Sequence, residues 1–296
     1  MKILISGLNG FIGTNLQKHK KNSYEFKYLS REDIMNPYYK IDKKIDVIIH
    51  LAGKAHDLTN NAKYSDYEFS NYNLTKTLYD KFKKSVCKKF IFISSIKACS
   101  DESNDFLDEN SDCNPVTFYG KSKLKAESYI LKNINDNGVY ILRPTMIYGS
   151  SFKGNLNLLY KFCKMKLPWP LYRFENKRNY CSIENLNFTI YNLIDLKNIS
   201  SGIYNICDDD PISTNELVYT ISKAIGYKIK MLPIPKFTIN FFVKTGDFFK
   251  LPINSSNFKK LTGNFMVSNK KIKKAFRINS MPVNTSEGIY KLFKNL

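Results

Sequence analysis

The chain has 296 residues, of which 43% are hydrophobic, and a formal net charge of +20. This length suits one large domain or two modest ones, and because the lysines are spread from end to end we interpret the charge as solvated surface and expect no nucleic-acid partner. Six cysteines without a C-x-x-C pair and only three histidines predict a reducing, cytoplasmic location and no metal site. No run approaches the ~20 apolar residues of a membrane span, so we expect no stable membrane insertion.

Short apolar runs alternate with helical patterns in the first half of the chain. They are rich in Ile, Val and Phe without alternation, which is typical of strands buried on both faces of a parallel sheet. This rhythm predicts an α/β fold with a Rossmann-type, doubly wound parallel sheet over residues 1–150. The strand-like runs cover residues 3–6, 26–29, 46–51, 90–94 and 139–142.

Prolines break the second half into shorter pieces. Residues 151–296 are therefore expected to form mainly a smaller, interleaved C-terminal substrate-binding lobe, with some segments returning to the sheet. The basic, aromatic stretch 236–260 is expected to contain a core helix, with contact to a membrane surface as the alternative.

A glycine-rich turn follows the first strand. Gly7 permits a tight turn, Gly10 allows the backbone to approach a pyrophosphate, and Gly13 allows the next helix to pack closely on the strand. The helix that begins near Phe11 presents free N–H groups to the phosphates. The G-x-x-G-x-x-G spacing thus favours a dinucleotide-binding turn over a purely structural one.

The end of the second strand bears on the choice of dinucleotide. Ser30 and Arg31 stand where NAD enzymes usually have an acidic residue, and an arginine there can pair with a 2′-phosphate. We therefore expect NADP(H). Glu32 and Asp33 follow directly and keep NAD(H) open, as does the alternative that Arg31 is a solvated loop charge.

The candidate catalytic residues are Tyr119, Lys123 and Ser95. Tyr119 and Lys123 are four residues apart and share one face of a helix, so the ammonium is expected to lower the tyrosine pKa and suit it to acid–base catalysis. Ser95 ends a buried strand, where doubly wound folds place their sites, and its hydroxyl can orient a substrate carbonyl or alcohol. For Ser94 we expect a structural role.

These motifs resemble those of the extended short-chain dehydrogenase/reductases that act on nucleotide sugars, the NAD-dependent epimerase/dehydratase family that includes UDP-glucose 4-epimerase. The likeness runs through essentially the whole chain and implies that Ser95, Tyr119 and Lys123 form the catalytic triad. It also implies a homodimer. The cofactor contacts that it implies, with those argued above, are Gly7, Asn9, Gly10, Phe11, Ile12, Gly13, Ser30, Arg31, Leu51, Ala52, Gly53, Asn73, Tyr119 and Lys123.

On the substrate side the resemblance implies that Asn155 and Arg178 reach a diphosphate and that Lys97 lies near the phosphate or sugar. For Lys97 a solvated loop lysine remains the alternative. Asn179 stands where the family has Asp, which makes the surroundings of Arg178 more positive. A second late arginine of the epimerases is not found in its expected setting.

The segments Ser94–Lys97 and Leu261–Gly263 resemble a subgroup that includes 4-keto reductases of capsule and O-antigen biosynthesis. This implies NADPH-dependent reduction of a UDP-4-keto-6-deoxy-N-acetylhexosamine. A UDP-sugar 4-epimerase with tightly bound NAD is the alternative, and a non-catalytic NADP-binding regulator is the alternative of another class. A dehydratase is disfavoured because Ile96 and Lys97 stand where its extra carboxylates would be.

Overall fold

The centre of the molecule is a six-stranded sheet in a computed structural model that describes residues 1–19, 22–55, 62–134, 138–150, 155–248 and 255–295. The strands of the described segments are β1 (Lys2–Ser6), β2 (Glu25–Leu29), β3 (Val47–His50), β4 (Lys89–Ile93), β5 (Ser103–Leu107), β6 (Val139–Pro144), β7 (Met146–Tyr148), β8 (Tyr180–Ser182), β9 (Gly202–Ile206) and β10 (Phe265–Val267). The central order is β2-β1-β3-β4-β6-β9, and every neighbouring pair is parallel.

Helices cover both faces of this sheet. The α-helices of the same segments are α1 (Phe11–Lys18), α2 (Arg31–Met35), α3 (Tyr64–Tyr67), α4 (Leu74–Lys83), α5 (Phe118–Lys132), α6 (Asn155–Lys164), α7 (Ile183–Asp195), α8 (Thr214–Ala224), α9 (Lys236–Phe248), α10 (Ser255–Thr262), α11 (Lys270–Phe276) and α12 (Thr285–Lys294). A π-helical turn, Glu68–Asn73, leads into α4, and a 3-10 turn, Ile96–Ala98, follows β4. The architecture confirms the predicted doubly wound α/β fold.

The two faces of the sheet pack separate apolar clusters. One contains residues of β1, β3, β4 and α7, with Leu186 and Ile190 fully buried, and the other contains Leu74 and Leu78 of α4 against Phe90. Full burial of such a side chain contributes about 1.5–3 kcal/mol. Alternate residues of a strand face opposite sides, so strands covered on both sides need apolar residues throughout, as the sequence pattern indicated.

The second half of the chain returns to the sheet before it forms its own core. Strand β9 pairs with β6 at the sheet edge, and α7 packs on one face of the sheet. A third cluster lies outside the sheet and includes Leu159 of α6, Leu217 of α8 and Ile289 of α12. Residues on either side of position 150 therefore share one sheet.

Helix α9 differs from the expected core helix. Ile239 packs against the third cluster and Val243 is 4% exposed, but Phe237, Phe241 and Phe242 are 77%, 68% and 61% exposed. Apolar residues are distributed around the whole helix, and only one side of it meets the core. Within the described segments, no helix combines the length and apolar character needed to cross a membrane.

Candidate active site

The glycine turn follows β1 and packs against the segment that follows β3. Gly7 has φ +78°, and a Cβ there would lie 2.7 Å from the backbone nitrogen of Ala52. A Cβ on Gly13 would lie 2.2 Å from the carbonyl oxygen of Leu8. Gly10 caps α1 without a side-chain hydrogen bond, so the first N–H groups of the helix are available to an anion. The turn fits a pyrophosphate, with Asn9 exposed and Phe11 and Ile12 partly buried beside it.

Basic residues line the cleft beside this turn. Arg31 and Lys54 contribute to a cleft of about 640 Å³ that also includes Gly53 and Asp66, and a carboxylate oxygen of Asp66 lies 3.6 Å from the Nζ of Lys54. Asp33 is engaged elsewhere, because its carboxylate accepts hydrogen bonds from the backbone nitrogen and the hydroxyl of Ser30 at 3.3 and 2.9 Å in a capping box. The cleft therefore presents the guanidinium of Arg31, while Lys54 is paired with Asp66 and one of the two acidic residues that could hold a ribose hydroxyl caps α2.

Helix α5 brings Tyr119 and Lys123 to the end of β4. Thr117 caps the helix, and the two side chains lie one turn apart on the same face. Lys123 is 4% exposed, and its Nζ donates to the carbonyl oxygen of Ile93 at 2.8 Å. The Ser95 side chain lies close enough to Tyr119 to influence its pKa. The three residues expected to form the triad thus meet in space.

The acid–base properties of this group differ from the sequence expectation. Burial raises the pKa of Tyr119 to about 12, although the neighbouring Ser95 side chain acts in the opposite direction. Burial lowers the pKa of Lys123 to about 8, and the nearby Glu127 carboxylate acts against that decrease. The predicted lowering of the tyrosine pKa was wrong, because desolvation of the phenolate dominates and the Lys123 ammonium donates to a backbone carbonyl.

A buried ion pair supports α5 directly behind the catalytic side chains. Glu127 is fully buried and accepts from Nη2 of Arg143 at 2.6 Å and from Nε at 3.1 Å. The hydroxyl of Ser94 also donates to Glu127, which agrees with the structural role expected for Ser94. Glu127 is four residues beyond Lys123, which is four residues beyond Tyr119. One face of α5 therefore carries all three side chains.

The asparagine beside the cofactor cleft is Asn71 rather than Asn73. Asn71 is fully buried, accepts from the backbone nitrogen of Lys54 at 2.8 Å and donates to the hydroxyl of Ser122 at 2.9 Å. A Cβ on Gly53 would approach its Oδ1 to 2.7 Å. Asn73 is exposed. The Asn-x-x-x-Thr pattern occurs twice, at 71/75 and at 73/77, and the structure packs the asparagine of the first copy against Gly53 and Ser122, while the predicted Asn73 stays exposed.

His50 is a buried residue whose role the sequence analysis missed. Its Nδ1 lies 2.5 Å from the Ser6 hydroxyl and its Nε2 lies 2.9 Å from the Thr75 hydroxyl. Burial, with the charge of Lys123, lowers its pKa to about 3, so the ring is neutral. Thr75 donates to the carbonyl oxygen of Asn71 at 2.6 Å and can therefore accept from Nε2, which leaves Nδ1 to accept from Ser6. This chain of bonds connects β1 with Asn71.

The substrate-side residues are less tightly held. Lys97 is exposed, with its Nζ 3.8 Å from an oxygen of Asp101. Arg178 is half-buried and donates to the carbonyl oxygen of Gly263 at 3.1 Å, and no carboxylate forms an ion pair with it among the residues that the structure describes. Burial lowers its pKa, so it is a desolvated cation suited to an anionic ligand. The Asn155 side chain lies outside the described residues.

A proton donor beside a dinucleotide-binding turn is the arrangement of a nicotinamide-dependent oxidoreductase or epimerase, and this is the class of enzyme that the fold and the site define. The profile of the NAD dependent epimerase/dehydratase family matches residues 3–207. The chain belongs to this family and is an NAD(P)-dependent enzyme.

Three comparisons illustrate the range of similar proteins. A UDP-glucose 4-epimerase from Vibrio cholerae is 28% identical over 273 residues, which cover 82% of this chain and 81% of the relative. A UDP-2-acetamido-2,6-beta-L-arabino-hexul-4-ose reductase from Pseudomonas aeruginosa is 28% identical over 162 residues, 53% of this chain and 38% of the relative. A solved dTDP-4-dehydrorhamnose reductase ortholog from Clostridium acetobutylicum is 20% identical with a TM-score of 0.77, covering 100% of this chain and 99% of that one.

Proposed function

We propose that this enzyme uses NADPH to reduce the 4-keto group of a UDP-linked 6-deoxy-N-acetylhexosamine in the biosynthesis of a surface polysaccharide. The observation that carries the proposal is the cleft with Arg31, whose guanidinium can pair with a 2′-phosphate. Asp33 supports the same choice because its carboxylate caps α2.

The protonation state of Tyr119 supports reduction. A phenol with a pKa of about 12 is protonated at neutral pH, so Tyr119 is a proton donor to the sugar C4 oxygen. The hydride for C4 would come from bound NADPH. Ser95, which lies beside Tyr119, would orient the keto oxygen, and Lys123 would donate a hydrogen bond to the nicotinamide ribose.

The substrate-binding lobe supplies the anion contact. Arg178 is a half-buried cation held by a backbone carbonyl rather than by a carboxylate, and it can donate to the diphosphate with a charge-assisted hydrogen bond. Lys97 follows the catalytic serine by two residues, with an exposed side chain, and is assigned to the sugar or the phosphate. Asn155 completes the proposed set.

A 4-epimerase with tightly bound NAD is the second candidate. It is favoured by the epimerase from Vibrio cholerae, whose likeness covers most of both chains, whereas the likeness to the reductase covers about half of this one. A non-catalytic NADP-binding regulator is the third, and the presence of Ser95, Tyr119 and Lys123 together at one site argues against it.

The decisive experiment titrates the purified protein with NADPH and NADH and then adds UDP-4-keto-6-deoxy-N-acetylglucosamine while the absorbance of the reduced cofactor is followed. The proposal predicts tighter binding of NADPH and stoichiometric oxidation. Tyr119→Phe is expected to bind NADPH normally and to lose about 100-fold or more in turnover. Co-purified NAD, no net oxidation and interconversion of C4 epimers would establish the epimerase instead.

A further inference from the structure

Helix α9 carries an exposed aromatic surface, which we call the phenyl face and define as Phe237, Phe241 and Phe242. These rings are 77%, 68% and 61% exposed. The rings of Phe241 and Phe242 meet edge to face, with 6.1 Å between their centroids. Phe237 and Phe241 are one turn apart and therefore point in the same direction. Scattered single apolar residues are normal on protein surfaces, but clustered aromatic rings mark an interaction site.

The opposite side of α9 is anchored to the protein. Ile239 packs against the core of the C-terminal lobe and Val243 is 4% exposed. This fixed orientation directs the phenyl face outward.

The surroundings of the phenyl face are basic. Lys236 and Lys244 are exposed on the same helix. The acidic residue of the helix, Asp247, is engaged, because its carboxylate accepts from the backbone nitrogen and the hydroxyl of Ser255. Aromatic rings beside lysines, on a chain of net charge +20, match a lipid surface with acidic head groups better than an apolar protein groove.

Aromatic contacts connect α9 to Arg178. The Nζ of Lys236 lies 5.6 Å from the ring centroid of Phe174, which in turn meets the ring of Phe258 in α10 at 5.0 Å. Just beyond α10, Gly263 accepts the hydrogen bond of Arg178. The phenyl face and Arg178 therefore belong to one packed lobe.

We propose that α9 docks this enzyme on the surface of a bilayer that contains acidic phospholipids, with the phenyl face in the interfacial region and Lys244 at the head-group phosphates. The helix has 13 residues, and a bilayer core requires about 20 residues of helix, so it lies in the plane of the interface. Docking holds the lobe that carries Arg178 at the membrane surface.

The test is sedimentation of the full-length protein with vesicles of phosphatidylcholine alone and with vesicles in which about one third of the lipid is phosphatidylglycerol. The wild type is expected to sediment with the acidic vesicles and to be released at about 1 M salt. Phe237→Ser/Phe241→Ser is expected to bind them about tenfold more weakly. Lys244→Gln is expected to weaken binding less, by about fivefold.

The matched control is Tyr38→Ser/Phe106→Ser, which removes two exposed rings, 88% and 56% exposed, outside α9. It is expected to bind the acidic vesicles like the wild type. Turnover of the soluble nucleotide sugar is expected to be unchanged in the α9 variant, which separates docking from catalysis. Failure of the wild type to bind acidic vesicles, or equal loss in the two double variants, would overturn the proposal, and a protein partner would then be the occupant of this face.

Discussion

The catalytic helix α5 and the substrate-side residue Arg178 are held in opposite ways. On α5, Lys123 and Glu127 are almost completely buried, and their positions are determined by hydrogen bonds to Ile93, Ser94 and Arg143. Arg178 is half-buried, and among the described residues its side chain donates a hydrogen bond to the carbonyl oxygen of Gly263. The first region positions a proton donor, which requires rigidity, and the second leaves a cation available for a ligand.

The largest expected effect comes from the buried ion pair. Glu127→Ala leaves Arg143 charged in the interior, and we expect a loss of about 3–5 kcal/mol in the free energy of unfolding. The matched control is Glu68→Ala, which breaks the exposed pair between Glu68 and Lys125, also of α5, at a cost of about 0–1 kcal/mol. Urea denaturation measures both. An equal loss of unfolding free energy in the two variants would show that burial does not determine how much the Glu127–Arg143 pair contributes to stability.

The next effect concerns the position of Tyr119. A Cβ on Gly120 would lie 2.3 Å from the carbonyl oxygen of Lys97 and 2.7 Å from Cβ of Pro115, so Gly120→Ala must displace the start of α5. A displacement of about 1 Å can lower turnover about 100-fold. Lys121→Ala, one exposed residue further along, is expected to retain turnover. The comparison is made on kcat under saturating NADPH, and normal kcat in Gly120→Ala would contradict the rigid placement of Tyr119.

Substitution of Arg178 should change substrate binding rather than stability. Arg178→Gln is expected to raise the KM for the nucleotide sugar about 10- to 100-fold, because one charge-assisted contact with the diphosphate is lost, with little change in kcat or stability. Lys177→Gln provides the control, since Lys177 is an exposed neighbour. Steady-state kinetics give KM and kcat of the two variants, and thermal unfolding gives their stability. A destabilised Arg178→Gln with unchanged KM would assign the arginine a structural role.

The smallest effect is the pH dependence of stability that Lys123 contributes. Its pKa is lowered from 10.5 to about 8 in the folded protein, so between these pH values the unfolded chain binds more protons at this position. Stability should therefore rise with pH across this window, by at most about 1.4 kcal/mol per pH unit. The rise is measured as the difference between wild type and Lys123→Met in urea denaturation at pH values across the window. A difference that is constant with pH would contradict the lowered pKa.

Local spacing in the sequence was enough to predict the catalytic side of the molecule. Three glycines at intervals of three, and a tyrosine four residues before a lysine, are each short-range patterns, and the structure places them at the ends of β1 and β4. The apolar runs predicted the central strands for the same reason, because a strand covered on both faces needs apolar residues throughout. These features depend on neighbours in the sequence.

Several outcomes depended on contacts between distant parts of the chain. The sequence contains two equivalent Asn-x-x-x-Thr patterns. Only the folded structure shows that Asn71, and not Asn73, packs against Gly53 and Ser122. The raised pKa of Tyr119 follows from burial. Burial cannot be predicted from the spacing of nearby residues in the sequence. The bonds of His50 span 44 and 25 residues.

By itself the sequence determined the doubly wound fold, the glycine turn and the pairing of Tyr119 with Lys123, because each depends on short-range geometry. The tertiary structure alone decided which asparagine packs against Gly53, in which direction the pKa of Tyr119 shifts and which side of α9 is exposed. These depend on desolvation and packing, and both are set by residues that come together only when the chain has folded.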